Sequence, residues 1–581
     1  MKLRNILSFA LSSSFAFTPA LHAAKQKLVE VHRTGTTSMA VAITRDASVQ
    51  SAAKSSPGYR AILKAQPKPV QAAHGALAQT NRSLSTGLAF KGFPIVGPDG
   101  DFTGFDALDS GDFAAATGFV AEPPDQGLAT NGNQVLEAVN DVIRVFTNSG
   151  KPLTPTASLY SFFNVPTAPD SNGNTFQLTD PRAFYDWESG HWFVSILEYT
   201  ANVNGAPTGG STVLLAVSAN GDAVGNYVVN SIDVSDANFG ACPCLGDQPL
   251  LGLNQDGVYL NTNEYSNTTG FFQTALVTAI SKSDLIKGAS TVVAAGFDGL
   301  TLAESVAFSV QPAFPSPGTK TNQNLGTEFF TSSLDFNNSV DNRLAVWSLT
   351  NTQSLKDPVP NLNLQLTVIN TQEYGAPVPA VQRSGAYPQG MALGDPEELI
   401  DAGDDRMMQL FYSNGKLYCG VTTLLLEPKG SNGPRSGAAW FEIEPDASYT
   451  SLSAKVTKQG LIGIANGSVM YPAFAVNSAG EGVIAFSFTS PDYFPSTGYV
   501  NFQNGVVQPE VHLAGIGQAP DDGFTGYPQY TGGNVARWGD YSAAMVSPNG
   551  DLWMAAEYIP NPVARPRTQY TNWGTFIYQV K

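Results

Sequence analysis

The stretch WGDYSAAMVSPNGDLWMAAEY, Trp538 to Tyr558, has two clear counterparts upstream, DPRAFYDWESGHWFVSILEY (Asp180 to Tyr199) and DQPLLGLNQDGVYLNTNEY (Asp247 to Tyr265). Self-similarity over a period of tens of residues decides a fold before any single element does. Each copy starts at an aspartate and runs through a short apolar segment. It then turns at a glycine-containing tip and returns through an aromatic-rich strand to Glu-Tyr, the plan of a β-hairpin. From aspartate to glutamate the interval is 18, 17 and 17 residues.

Weaker copies begin at Pro123, Gly326, Asp405 and Tyr471, giving seven units about 55 to 80 residues apart. Apolar runs at 213–222, 275–284, 344–352 and 438–446 supply third strands to several units. Only 14% of residues are charged, and 56 glycines and 38 prolines interrupt the apolar runs, so the chain reads as all-β without long amphipathic helices. Seven antiparallel sheets in series, none able to bury both faces alone, stack radially. The expected fold is therefore a β-propeller of seven four-stranded blades, with six or eight still compatible and a pair of β-sandwiches as the alternative. The C-terminal TFIYQVK strand and a strand near Gly87 to Val96 are expected to share one blade and close the ring.

The run PPDQGLATNGNQVLEAVNDVIRVFTNSGKPL from Pro123, followed by DPRAFYDWESGHWF, DQPLLGLNQDGVYLNTNEY and RWGDYSAAMVSPNGDLWMAAEYI, resembles secreted bacterial β-propellers of the sialidase-like (BNR-repeat-like) kind, mostly of unassigned function. The resemblance covers roughly residues 85 to 581 and implies the propeller fold and export. The sialidase Asp-box SxDxGxTW is missing; SPNGDLW (547–553) is a distant echo of it.

Ahead of the repeats, Lys2 and Arg4 precede a short apolar run and small residues, the pattern of a signal peptide over residues 1–23. That run is too short to span a bilayer. A secreted or periplasmic protein without a membrane span is expected. Residues 24–85 read as a basic, partly disordered arm and 86–581 as the propeller. Residues 25–91 hold ten Lys or Arg against Glu30 and Asp46, so the remainder is more acidic than the total net charge of −17. An acidic body repels nucleic acid, which excludes that class of partner. Three cysteines, Cys242, Cys244 and Cys419, lack zinc-site spacing and suggest packing or one bridge from the CPC segment to Cys419.

In a hairpin the start of the first strand and the end of the second share one end, so the repeated acids gather at one face of the ring. Starting positions are Asp125, Asp180, Asp247, Asp405 and Asp540; closing positions are Glu198, Glu264, Asp335 and Glu557, with Asn140, Thr422 and Thr489 in the other units. Three roles compete for them. They can accept backbone N–H bonds between blades. They can bind calcium, for which Asp180, Asp247 and Asp540 are the candidates and the run DGDFTGFDALDSGD (99–112) a weaker one. They can also act as the carboxylate pair of a glycan-active enzyme, a sialidase-like hydrolase or a polysaccharide lyase. The catalytic candidates are then Asp540, Glu557 and Asp180, with Arg182, Arg406, Arg537 and Tyr541 nearby. No HExxH, GxSxG or Walker motif is present. Trp187, Trp192, Tyr259, Trp538 and Trp553 suit core packing better than sugar stacking. The expected function is a monomeric binding or scaffold module for extracellular saccharide or protein, calcium-stabilised if the second role holds, with the enzyme as the alternative.

Overall fold

The computed structural model describes residues 24, 26–54, 63–65, 86–98, 102–302, 305–321, 323–334, 340–394, 399–426, 433–503 and 505–581. The proposed signal peptide, most of residues 55–85 and Asp335 lie outside them. Strands dominate, and the antiparallel hairpins run in series. The innermost strands are Gly127–Thr130, Thr175–Asp186, Cys244–Leu253, Gln311–Pro315, Leu410–Ser413, Ser468–Val476 and Ala543–Val546. Each neighbours the next and the last neighbours the first, so the sheets close into a ring, a β-propeller. We number the blades from these strands, 1 to 7. Blades 4 and 5 join through a short parallel pairing of Ala313–Pro315 with Leu410–Tyr412.

The ring is held from the middle by apolar residues. One buried cluster takes a side chain from every innermost strand: Leu128, Phe184, Leu251, Phe314, Phe411, Phe474 and Met545. Burial on both faces explains why the innermost strands LFYS, SVMYPAFAV and AAMV of blades 5, 6 and 7 read as near-continuous apolar runs rather than as an alternation. Phe314 of blade 4 packs on Phe184 of blade 2 at 5.7 Å between ring centroids, and on Phe411 of blade 5 at 6.5 Å. Closure is made by the chain ends. Phe102–Asp109 pairs with Gly574–Val580 as the fourth strand of blade 7. Buried Glu137 of blade 1 then accepts the Leu108 N–H at 3.0 Å, tying that strand to the first blade.

Three details differ from the sequence reading and a fourth adds to it. The closing strand is Phe102–Asp109; Ile95–Val96 instead runs parallel to Val511–His512 on blade 6. Blade 4 begins at Gln311, upstream of Gly326, which precedes its second strand. Cys242 bonds to Cys244, while Cys419 sits buried on the second strand of blade 5 amid apolar side chains of blades 4 and 5, so no bridge joins it to the CPC segment. Finally, the described part of the basic segment is built into the ring. Gln26–Leu28 pairs with the edge of blade 3 and Val31–Ser38 with the edge of blade 2.

The run SMAVAITRDASV lies in helix Met39–Lys54 after Ser38. The Ser38 hydroxyl accepts the Val41 N–H at 3.2 Å, while Met39 and Ala42 are fully buried. Asp46 accepts the Ser158 N–H at 2.8 Å, docking the helix on blade 1. Lys27 forms ion pairs with Asp236 and Asp298, the latter at 2.7 Å. One extended segment thus covers the edges of two successive blades, as exposed edge strands require. Deleting the chain through Ser38 is expected to lower the melting temperature by several degrees in differential scanning calorimetry; an unchanged transition would contradict this docking.

Candidate functional site

Proline has no N–H and is tolerated within a sheet only where the ladder is interrupted. The innermost strands of blades 2, 3 and 6 carry Asp180-Pro181, Gln248-Pro249 and Tyr471-Pro472, and each pairing register shifts there: Thr179 to Arg182, Asp247 to Leu250, Met470 to Ala473. These are β-bulges. The bulge places Asp180, Gln248 and Tyr471 at φ of 56°, 49° and 55°, and Asp125 and Ser309 hold φ of 50° and 45° at the corresponding points of blades 1 and 4. Such φ values are costly for residues other than glycine and persist only where surrounding bonds hold them.

The bonds that hold them come from neighbouring blades. Asn140 Oδ1 of blade 1 accepts the Asp180 N–H at 2.9 Å, and Asp180 Oδ2 of blade 2 accepts the Gln248 N–H at 3.1 Å. Asn263 Oδ1 accepts from Ser309 at 2.8 Å, and the Thr422 hydroxyl from Tyr471 at 3.0 Å. At the ring junction Asp125 Oδ1 accepts the Asp540 N–H at 2.6 Å, while its Oδ2 accepts Asn140 Nδ2 at 2.7 Å. Glu557 Oε2 accepts the Gly539 N–H at 2.6 Å.

Arginines complete the mouth. Arg537 donates to Asp540 at 2.8 Å, and Arg406 donates to Asp404 at 2.7 and 2.6 Å and to Gln248. Arg182 lies 3.3 Å over the Tyr541 ring, and the Tyr541 hydroxyl donates to Pro181 O at 2.9 Å. That hydroxyl is buried and its proton tightly held, because burial strongly disfavours the phenolate. Below, a narrow channel cavity of about 30 Å³ is lined by Gln126, Arg182, Gln311, Gln409 and apolar side chains. Gln409 of blade 5 reaches Ala544 of blade 7, donating to its carbonyl at 2.5 Å and accepting its N–H at 2.9 Å.

Burial raises the proton affinity of the acids. Asp180 and Asp247 are each pushed up to about 7, chiefly by desolvation; the Asp247 and Asp540 charges add to the effect on Asp180, while Arg406 opposes it on Asp247. Asp125 and Glu557 are raised for the same first reason.

Asp125, Asp180, Asp247, Asp540, Arg182, Arg406, Arg537 and Tyr541 thus gather at one end of the ring, with Glu557 beside them. Asp405 is fully buried at the entry to blade 5. Glu198 and Glu264 stand apart on second strands. Glu198 lies opposite Leu178 and Thr212, and Glu264 is buried, accepting from Thr262 at 2.5 Å, with Asp236 and Lys27 as its charged neighbours. Trp192, Tyr259, Trp538 and Trp553 are buried in the core. In DGDFTGFDALDSGD, Asp109 and Asp112 pair with Arg565, and Asp112 also with Arg144. Among the described residues no three His, Cys, Asp or Glu stand together as metal ligands. The sequence reading did not single out Gln248 and Ser309 as bulge residues, nor Glu122, Asp521 and Asp522 in the loops over this end; for Gln248 the visible signal was Gln-Pro at a strand start.

No family model and no curated protein matches the chain. Solved structures with a similar course include a phage phi92 endosialidase (10% identity, 83% of this chain and 69% of that one, TM-score 0.35). An exo-β-1,3-galactanase from Clostridium thermocellum is similar at 11% identity over 70% of this chain and 80% of that one, TM-score 0.28. A xylan β-1,4-xylosidase from Bacillus halodurans is similar at 10% identity over 79% and 94%, TM-score 0.26. At these values the assignment to the β-propeller class rests on the closed ring of sheets itself.

Two outcomes follow from acids that serve as backbone acceptors. Asp125→Ala strands the Asp540 N–H and should cost about 1–3 kcal/mol in denaturant unfolding, while chelators leave the melting temperature unchanged. A fall on chelation that calcium reverses would instead support the cation role. Because the folded state raises Asp180 and Asp247 to about 7, it binds protons more tightly than the unfolded chain. Their contribution is full below the ordinary carboxylate range of about 4 and is lost as pH rises through about 7. Asp180→Asn should therefore flatten the stability-versus-pH curve between about pH 4 and 7; an unaltered slope would contradict the shift.

Proposed function

We propose that this chain is an exported propeller that binds a saccharide at the acid-lined end of the ring. The observation that carries the reading is the convergence of carboxylates from blades 1, 2, 3 and 7 with three guanidinium groups over an occluded channel. Donors and acceptors held in place by the scaffold suit a ligand rich in hydroxyls, since a preorganised site loses little entropy on binding. Asp540, one-third exposed, is the member of the cluster open to solvent. Export is supported by the N-terminal charge and apolar pattern and by the Cys242–Cys244 disulfide, a bond favoured outside the cytosol.

One observation favours the enzyme as second reading. Two carboxyls from adjacent blades, each pushed up to about 7, can divide the roles of proton donor and charged partner near neutral pH. Isothermal titration against a panel of oligosaccharides, with products analysed from the same samples, separates the two. Binding weakened about tenfold or more by Asp540→Asn, with sugars recovered intact, is the expected result. Cleavage by the native chain, abolished in Asp180→Asn or Asp247→Asn, would establish the enzyme instead.

A further inference from the structure

Beside the channel mouth, the loops leading into blades 5 and 7, the long loop within blade 7 and the start of strand Tyr493–Gln503 of blade 6 surround a cavity of about 160 Å³. We propose that it is a ligand site for a carboxylate-bearing sugar, a hexuronate residue of an acidic saccharide. The inference extends the saccharide reading to a named class at a different place, and either can fail alone.

Phe494, Pro520, Pro560 and Pro562 supply rigid apolar walls suited to the C–H face of a pyranose ring. The charged lining is basic: Arg565 and Arg567 border the cavity, and among the described residues no acidic side chain does. That is a local inversion in a chain with 48 Asp and Glu against 31 Lys and Arg.

Both arginines are braced from behind. Arg567 pairs with Asp522, whose carboxylate also accepts the Gln389 and Gly390 N–H groups at 2.9 Å each. Arg565 pairs with Asp109 at 2.9 Å and Asp112 at 3.4 Å. A third guanidinium, Arg383, lies 4.7 Å over the Phe494 ring, exposed, with its one polar contact a long 3.5 Å approach to Asp492 O. Gln518 Oε1 is occupied by Asn561 at 3.0 Å, which turns its amide nitrogen into a further donor. Asn572 is spent within the wall, on Pro520 O and the Asp522 N–H. Arg565 and Arg567 also donate to the Asp106, Thr568 and Asp522 carbonyls, so the available polar groups are the Arg383 guanidinium and the Gln518 amide nitrogen, both donors; the planar fork of arginine matches a carboxylate.

The test is titration calorimetry of the intact chain with trigalacturonate and with neutral galactotriose. The acidic trimer should bind about tenfold tighter or more and weaken as salt is raised. Arg383→Ala and Phe494→Ala should each reduce its affinity, and Arg383→Lys should reduce it less than Arg383→Ala. Equal affinity for the two trimers, no binding of either, or an Arg383→Ala chain that binds like the native one would overturn the inference. Loss in Asp540→Asn with Arg383→Ala unaffected would move the sugar to the channel mouth, overturning this site while sparing the other.

Discussion

The ring depends on backbone N–H groups turned out of their own sheets, by a bulge in blades 2, 3 and 6 and just ahead of the innermost strand in blades 4 and 7. A buried N–H without an acceptor costs as much as a lost hydrogen bond, so each needs a partner. In blades 2, 3, 4, 6 and 7 that partner is a side chain of a neighbouring blade: Asn140, Asp180, Asn263, Thr422 and Asp125. The bond satisfies the donor, holds a positive φ at Asp180, Gln248, Ser309 and Tyr471, and sets one blade against the next.

This need accounts for much of the recurrence of acids at one end. A short acceptor side chain at the start of one hairpin or the end of another is what the interblade junction demands, and Asp, Asn and Thr all meet it. The chemistry of the mouth follows from the same packing. Carboxylates placed to accept from buried backbone lose solvent, which raises their affinity for protons, and arginines brought to Asp404 and Asp540 offset part of the charge. Scaffold and candidate site are therefore made of the same groups, and a substitution here acts on stability as well as on binding.

The architecture was legible because its signals are local. Hairpin tips with glycine, Asp-to-Glu spacing and seven units could be read residue by residue. The bulges were written as Asp-Pro, Gln-Pro and Tyr-Pro at strand starts, a meaning that appears only once the partner strand shows the register shift. Blade 4 was misplaced because its innermost strand, Gln311–Pro315, is five residues long and carries no aspartate. The docking of Gln26–Leu28 and Val31–Ser38 on two blade edges is a long-range pairing that basic composition concealed. Glu198 and Glu264 fitted the repeat yet stand away from the mouth, since a residue's end of a hairpin does not decide which side of the sheet it faces. The cavity beside Phe494 is assembled from separate loops and has no contiguous signature.

The most direct measurement is amide hydrogen exchange at Asp180, Gln248, Ser309, Tyr471 and Asp540. If interblade acceptors hold the ring, these N–H groups, lying where the strand ladders are broken, should exchange as slowly as core strand amides, and Asp125→Ala should speed Asp540 far more than the rest. Exchange at the rate of exposed loops in the native chain would contradict the account.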